Sequence, residues 1–176
     1  MRRGLAIALM ALLGLGLAAP GARVADALPL LASPREPVIG VAVGDDEDQG
    51  TLTPTGNGAF AIDDRSFVGR ILTRSVSDGV AACLTGQFRT DEDWSLEAPR
   101  LSGSHESALT IRSDHGNVVL RLRGRMEFPT ASGSWTVIRS SGGCADLEGE
   151  GSYTATFPAS NESSRFRLTF DGQART

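Results

Sequence analysis

From Gly50 onward, apolar and polar positions alternate in short runs separated by turn residues, the two-residue period of strands buried on one side. The alternation is cleanest over residues 117–128, where Leu120, Leu122, Gly124, Met126 and Phe128 share one face and Arg121, Arg123, Arg125 and Glu127 the other. Residues 165–171 repeat it, with Phe166, Leu168 and Phe170 on the inward side. The same reading predicts strands at 51–53, 59–62, 66–76, 80–90, 108–112, 133–139 and 152–157. Turn signals separate them: Gly56-Asn57-Gly58, Ser77-Asp78-Gly79, Asp91-Glu92-Asp93, a loop with Pro99 and Gly103, and Asp114-His115-Gly116. No amphipathic helix is predicted in this stretch. Eight or nine short strands joined by tight turns predict an all-β fold, an antiparallel meander closing as a barrel of about eight strands. A β-sandwich is the alternative. Closure removes the open edges that a sheet must otherwise protect.

The first residues follow a different pattern. Arg2 and Arg3 precede an apolar run over residues 5–17, and Ala25-Asp26-Ala27 supplies a small-residue cleavage site. This predicts a secretory signal peptide over residues 1–27 and a secreted or periplasmic product. The run is shorter than the roughly 20 residues a spanning helix needs. Residues 28–49, with Pro29, Pro34 and Pro37 at one end and Asp45-Asp46-Glu47-Asp48 at the other, read as a flexible linker. Within it, residues 38–43 are an edge strand or merely extended, and the acidic run is solvated in preference to a calcium loop. Residues 50–176 make up the barrel domain. The net charge is −4, and removing three arginines and one aspartate with the leader takes it to −6. An acidic domain without a concentrated basic surface excludes nucleic acid as the expected partner. Every one of the 17 basic residues is arginine, which reads as the codon usage of a GC-rich bacterial genome.

Outside the cytoplasm, a lone pair of cysteines is a disulfide more often than two thiols, so Cys83 and Cys144 are expected to pair. The loop of about 60 residues that they close contributes roughly 4 kcal/mol by chain entropy. Two thiols with no accompanying histidine pattern do not make a metal site, and neither metal nor cofactor is expected.

Candidate chemistry is sparse. His105 and His115 have Glu106 and Asp114 beside them, but adjacent strand residues face opposite ways, so no catalytic residue is assigned. There is no Gly-x-Ser-x-Gly elbow and no P-loop. Glu148 and Glu150 share a strand face and read as solvated. The sharpest charged feature is the ladder Arg121, Arg123, Arg125, which suits an anionic ligand; Trp94 is the matching stacking candidate. The competing reading of the ladder is a solvated face paired with carboxylates on the next strand. A small apolar ligand inside the barrel is the other expected partner.

One segment carries a family resemblance. Trp135, Val137 and Ile138 lead into Ser140-Ser141-Gly142-Gly143, then Ala145, Leu147, Gly149, Gly151 and Tyr153. With the strand pair over residues 109–125, this resembles the small secreted bacterial barrels related to the allene oxide cyclase and dirigent group of calycin-like folds. The resemblance spans residues 50–157 and implies a barrel. The family's Gly-Thr-Gly is replaced by Ser141-Gly142-Gly143, and Cys144 stands where an aromatic residue is common. No cyclase residue maps onto the chain. Independently of the family, the glycines at 142, 143, 149 and 151 suit a tight turn and close strand approach, and Trp135 and Tyr153 suit burial. The leading expectation is a non-enzymatic module that binds a small hydrophobic ligand or serves the cell envelope. The alternative is a cyclase or isomerase acting on a hydrophobic substrate inside the barrel.

Overall fold

A computed structural model describes residues 33–158 and 165–176. The expected signal peptide lies outside the described residues. Eight strands follow one another in chain order: β1 (Glu36–Gly56), β2 (Ala59–Ser75), β3 (Gly86–Glu97), β4 (Ser102–Ser113), β5 (Gly116–Glu127), β6 (Thr130–Ser140), β7 (Glu148–Thr156) and β8 (Arg165–Arg175). Each pairs antiparallel with the next, and β1 pairs with β8, giving a closed meander barrel. The predicted barrel is therefore the fold, and the sandwich is not.

Three expectations are corrected. Asp91-Glu92-Asp93, read as a turn, lies inside β3 and pairs with β4; the sequence masks this because its inward Glu92 is a buried polar residue. The linker over residues 28–49 is displaced from residue 36 onward by β1, which is paired on both sides: Val38 to Ser75 and Gly172, Gly44 to Gly69 and Phe166. Its alternation is real, with Val38, Gly40, Ala42 and Gly44 buried between exposed Ile39, Val41 and Val43. The small inward residues leave residues 38–43 ambiguous between edge strand and extended segment in the sequence, because a core position filled by Gly or Ala does not read as hydrophobic. The acidic run is largely exposed, as expected, and sits at a register shift between Asp46 and Asp48, where Asp46 bonds Arg65 at 2.7 Å and Glu47 bonds Arg89 at 2.6 Å.

The third correction concerns residues 80–84, expected to open the strand over 80–90 and found, together with the turn residues Asp78 and Gly79, in a short helix, α1 (Asp78–Leu84). Ser77 caps it, accepting from the Val80 amide at 3.3 Å, with Asp78 in the first turn as the helix dipole favours. Val80, Cys83 and Leu84 are buried against the barrel end from which β1 departs. Cys83 is joined to Cys144, in a 3-10 turn (Gly142–Cys144), by a disulfide with a Cα–Cα distance of 5.7 Å. The expected pairing is present, and it is compatible with an oxidising compartment.

The core lies inside the barrel. Phe67, Phe157 and Phe166 form one aromatic cluster, with Phe67 and Phe166 stacked at 4.8 Å and Trp94 edge-on to Phe157 at 4.6 Å. Such pairs add directional attraction to the area they bury. Trp135 fills a second region over Gly151 and Gly172: a Cβ on Gly151 would lie 2.6 Å from the indole nitrogen, and one on Gly172 2.8 Å from the ring. Outward positions are Arg, Asp, Glu, Ser and Thr for the most part, the reverse of what a lipid-facing barrel requires. Among the described residues, no helix is long and apolar enough to cross a membrane.

Candidate functional site

The inward alternation of β3 runs Phe88, Thr90, Glu92, Trp94, Leu96, so one carboxylate falls on an otherwise apolar face. On β4 the inward positions include His105, Ser107, Leu109 and Ile111. Register sets Glu92 opposite Ser107 and Trp94 opposite His105. Glu92 is 1% exposed and accepts from His105 Nε2 at 2.5 Å, from Ser107 at 3.0 Å and more distantly from the Trp94 indole at 3.4 Å. On the other side, His105 Nδ1 lies 2.6 Å from the Tyr153 hydroxyl of β7.

The last contact spans two strands and depends on what they lack. The row from His105 continues to Gly124 on β5, Gly133 on β6 and Tyr153 on β7. With no side chain at either glycine, imidazole and phenol meet across the gap. A Cβ at Gly124 or Gly133 would come within 2.0 or 2.1 Å of a backbone oxygen on the neighbouring strand. Burial first, and the Glu92 carboxylate second, raise the Tyr153 hydroxyl above its ordinary pKa of 10.0. It therefore stays protonated and donates to His105 Nδ1, while Nε2–H donates to Glu92. Every buried polar atom in this Glu92–His105–Tyr153 network has its partner inside the barrel, as a closed core demands. Above it, the Arg65 guanidinium lies 5.0 Å from the centroids of both Phe67 and Trp94.

The sequence-predicted ligand residues are dispersed. Trp94 is not a stacking residue at a rim: it is 2% exposed, held inward by its alternation, and its indole faces Glu92 and Phe157. Arg121, Arg123 and Arg125 do line the outer face of β5, but Glu106 on β4 takes Arg123 through two bonds of 3.0 and 2.9 Å and sits 3.9 Å from Arg121. That is the paired outer face weighed against the ligand reading. Arg165 and Arg167 lie on β8, between β7 and β1, and so away from this ladder. Glu148 and Glu150 bond Arg175 and Arg35 on the outside. His115 is in the exposed β4–β5 turn as expected.

Among the described residues, two grooves on the outer wall are bordered by these charged residues or their neighbours. One, of about 390 Å³, is bordered by Asp63, Asp93, Glu106 and Arg123. Burial, followed by the carboxylates of Asp63, Asp64 and Glu106, raises Asp93 above its ordinary 3.8. The other, of about 450 Å³, is bordered by Arg70, Gln87, Arg89, Arg112 and Glu47. Sequence reading missed the second because its arginines lie on three strands, and only pairing register brings them together: Arg70 faces Gln87, which faces Arg112. The buried network was masked in the sequence, since Asp91-Glu92-Asp93 reads as a turn although Glu92 is in phase with Phe88, Trp94 and Leu96. Compared with protein-family models and with curated proteins, the chain gives no match to either.

Proposed function

We propose that this chain is an exported, non-enzymatic barrel module whose interior is structural and whose outer wall does the binding. The observation that carries this reading is the occupied interior: the Phe67, Phe157 and Phe166 rings pack on one another, and the polar groups beside them bond to each other. An interior of this kind supports a rigid scaffold rather than a chamber for an apolar ligand. It also weighs against cyclase-type use of the barrel, the activity that the allene oxide cyclase and dirigent resemblance would imply. Such chemistry needs reacting groups that a substrate can reach, and Glu92 and His105 are 1% and 2% exposed. Fold resemblance by itself transfers no activity. Export is supported by the leader pattern at the start of the chain and by the Cys83–Cys144 disulfide.

The test is a lipophilic-dye displacement screen with native mass spectrometry of the purified protein. No apolar ligand is expected to be retained at one per chain. Stoichiometric retention of a fatty acid, terpene or similar molecule, lost on enlarging Ala155 to Phe in a chain that still folds, would overturn the reading.

A further inference from the structure

The outer row that crosses the β8, β1, β2, β3 and β4 strands reads Arg167, Val43, Arg70, Gln87, Arg112. An arginine occurs on every second strand, so successive guanidinium stems are set roughly 10 Å apart around the barrel. All three are exposed, and among the described residues none of them takes part in an ion pair. Among the described residues, Arg35, Arg65, Arg89, Arg121, Arg123 and Arg175 have carboxylates near them, whereas Arg74, Arg100, Arg125, Arg139 and Arg165 share the unpaired state of this row. What marks the row is its register across alternate strands beside a groove. The chain as a whole is acidic, so three unneutralised cations in register are not the by-product of a basic surface. Arg70 and Arg112 also border the 450 Å³ groove, in which Glu47 is already taken up by Arg89.

We infer that this row is a binding site for an anionic polysaccharide, a linear glycan carrying carboxylate or phosphate groups. The inference rests on the reading of the outer wall as the working surface and names its ligand. Three cations spaced along a line match a polymer with charges distributed along it better than one compact anion, which would want them converging on a point. Between the arginines, Gln87 offers both a donor and an acceptor for sugar hydroxyls. Val43, 37% exposed, offers an apolar seat for the C–H face of a pyranose ring.

The experiment is calorimetric titration of the purified protein with polygalacturonate, beside neutral dextran, inorganic phosphate and phosphatidylglycerol vesicles. Polygalacturonate should bind, weakening as salt rises, and dextran should not. The R70A/R112A variant should lose about tenfold or more in affinity, and R167A a smaller part. R121A/R123A, on the neighbouring β5 but displaced along it from the row, should bind as the parent does. All of these substitutions are at exposed positions, and circular dichroism should show them folded. Unchanged binding by R70A/R112A overturns the site. Phosphate competing at the same concentration as its equivalents on the polymer reduces it to a small-anion site and overturns the glycan assignment; so does binding to vesicles without binding to polygalacturonate. None of these failures bears on the filled interior, and an apolar ligand found inside would leave this titration unaffected.

Discussion

Tyr153 is the chain's one tyrosine, there is no lysine, and both cysteines are in the disulfide. Between pH 9 and the arginine range, roughly above 12, no other side chain changes charge, so the alkaline limb of stability isolates one hydroxyl. Burial and the Glu92 carboxylate raise its pKa in the folded protein above 10.0. The sign follows from proton counts: above pH 10 the unfolded chain releases the phenolic proton while the folded chain keeps it. Unfolding is then favoured by rising pH, with a slope approaching about 1.4 kcal/mol per pH unit. Below pH 10 both states hold the proton and the term is flat. With an unfolded value near 10, the loss reaches about 1.4 kcal/mol at pH 11. Urea unfolding followed by tryptophan fluorescence at pH 9, 10 and 11 measures it, and tyrosinate absorbance of the folded protein measures the hydroxyl directly. Tyr153→Phe should flatten the limb. Tyrosinate appearing in the folded protein near pH 10, with stability unchanged to pH 11, would refute the placement of Tyr153 against His105 and Glu92.

Three further outcomes are expected. Glu92→Ala strands the donors of His105 and Ser107 in the core and should cost about 3–6 kcal/mol, read from urea midpoints; a cost under about 1 kcal/mol would mean the network contributes nothing. Gly133→Ala puts a methyl 2.1 Å from the Arg123 carbonyl oxygen and should cost about 3 kcal/mol or more, because the β5–β6 pair must part; a melting temperature equal to the parent's would contradict that packing. Replacing both Cys83 and Cys144 with Ala opens a loop closed at a separation of 61 and should lower stability by about 4 kcal/mol, an effect reproduced in the parent by reductant.

The strands were legible wherever large apolar residues alternate with charged ones, as in β5 and β8, since both faces then announce themselves. They were ambiguous where the inward residues are small. In β1 the inward Gly40, Ala42 and Gly44 make room for bulk from elsewhere: a Cβ on Gly40 would lie 2.1 Å from the Phe170 ring. Period-two reading weighs each residue alone, whereas the barrel fills a site jointly from several strands. Helix α1 was missed because Ser77-Asp78-Gly79, read as a turn, is also a helix cap, and one helical turn carries little periodicity. The disulfide was legible from compartment and count alone. The candidate sites were mostly not legible. Arg121, Arg123 and Arg125 stand out because they are close in sequence, yet Glu106 neutralises much of that face. Arg70, Arg112 and Arg167 are far apart in the chain and meet only through register. His105 was weighed against its sequence neighbours, while its partners are 13 and 48 residues away.

The seam between β1 and β8 joins residues 36–45 to residues 165–174. Synthesis delivers the former long before the latter, so the cylinder cannot shut until β8 has emerged. A product truncated before β8 would present two raw borders ready to recruit other chains.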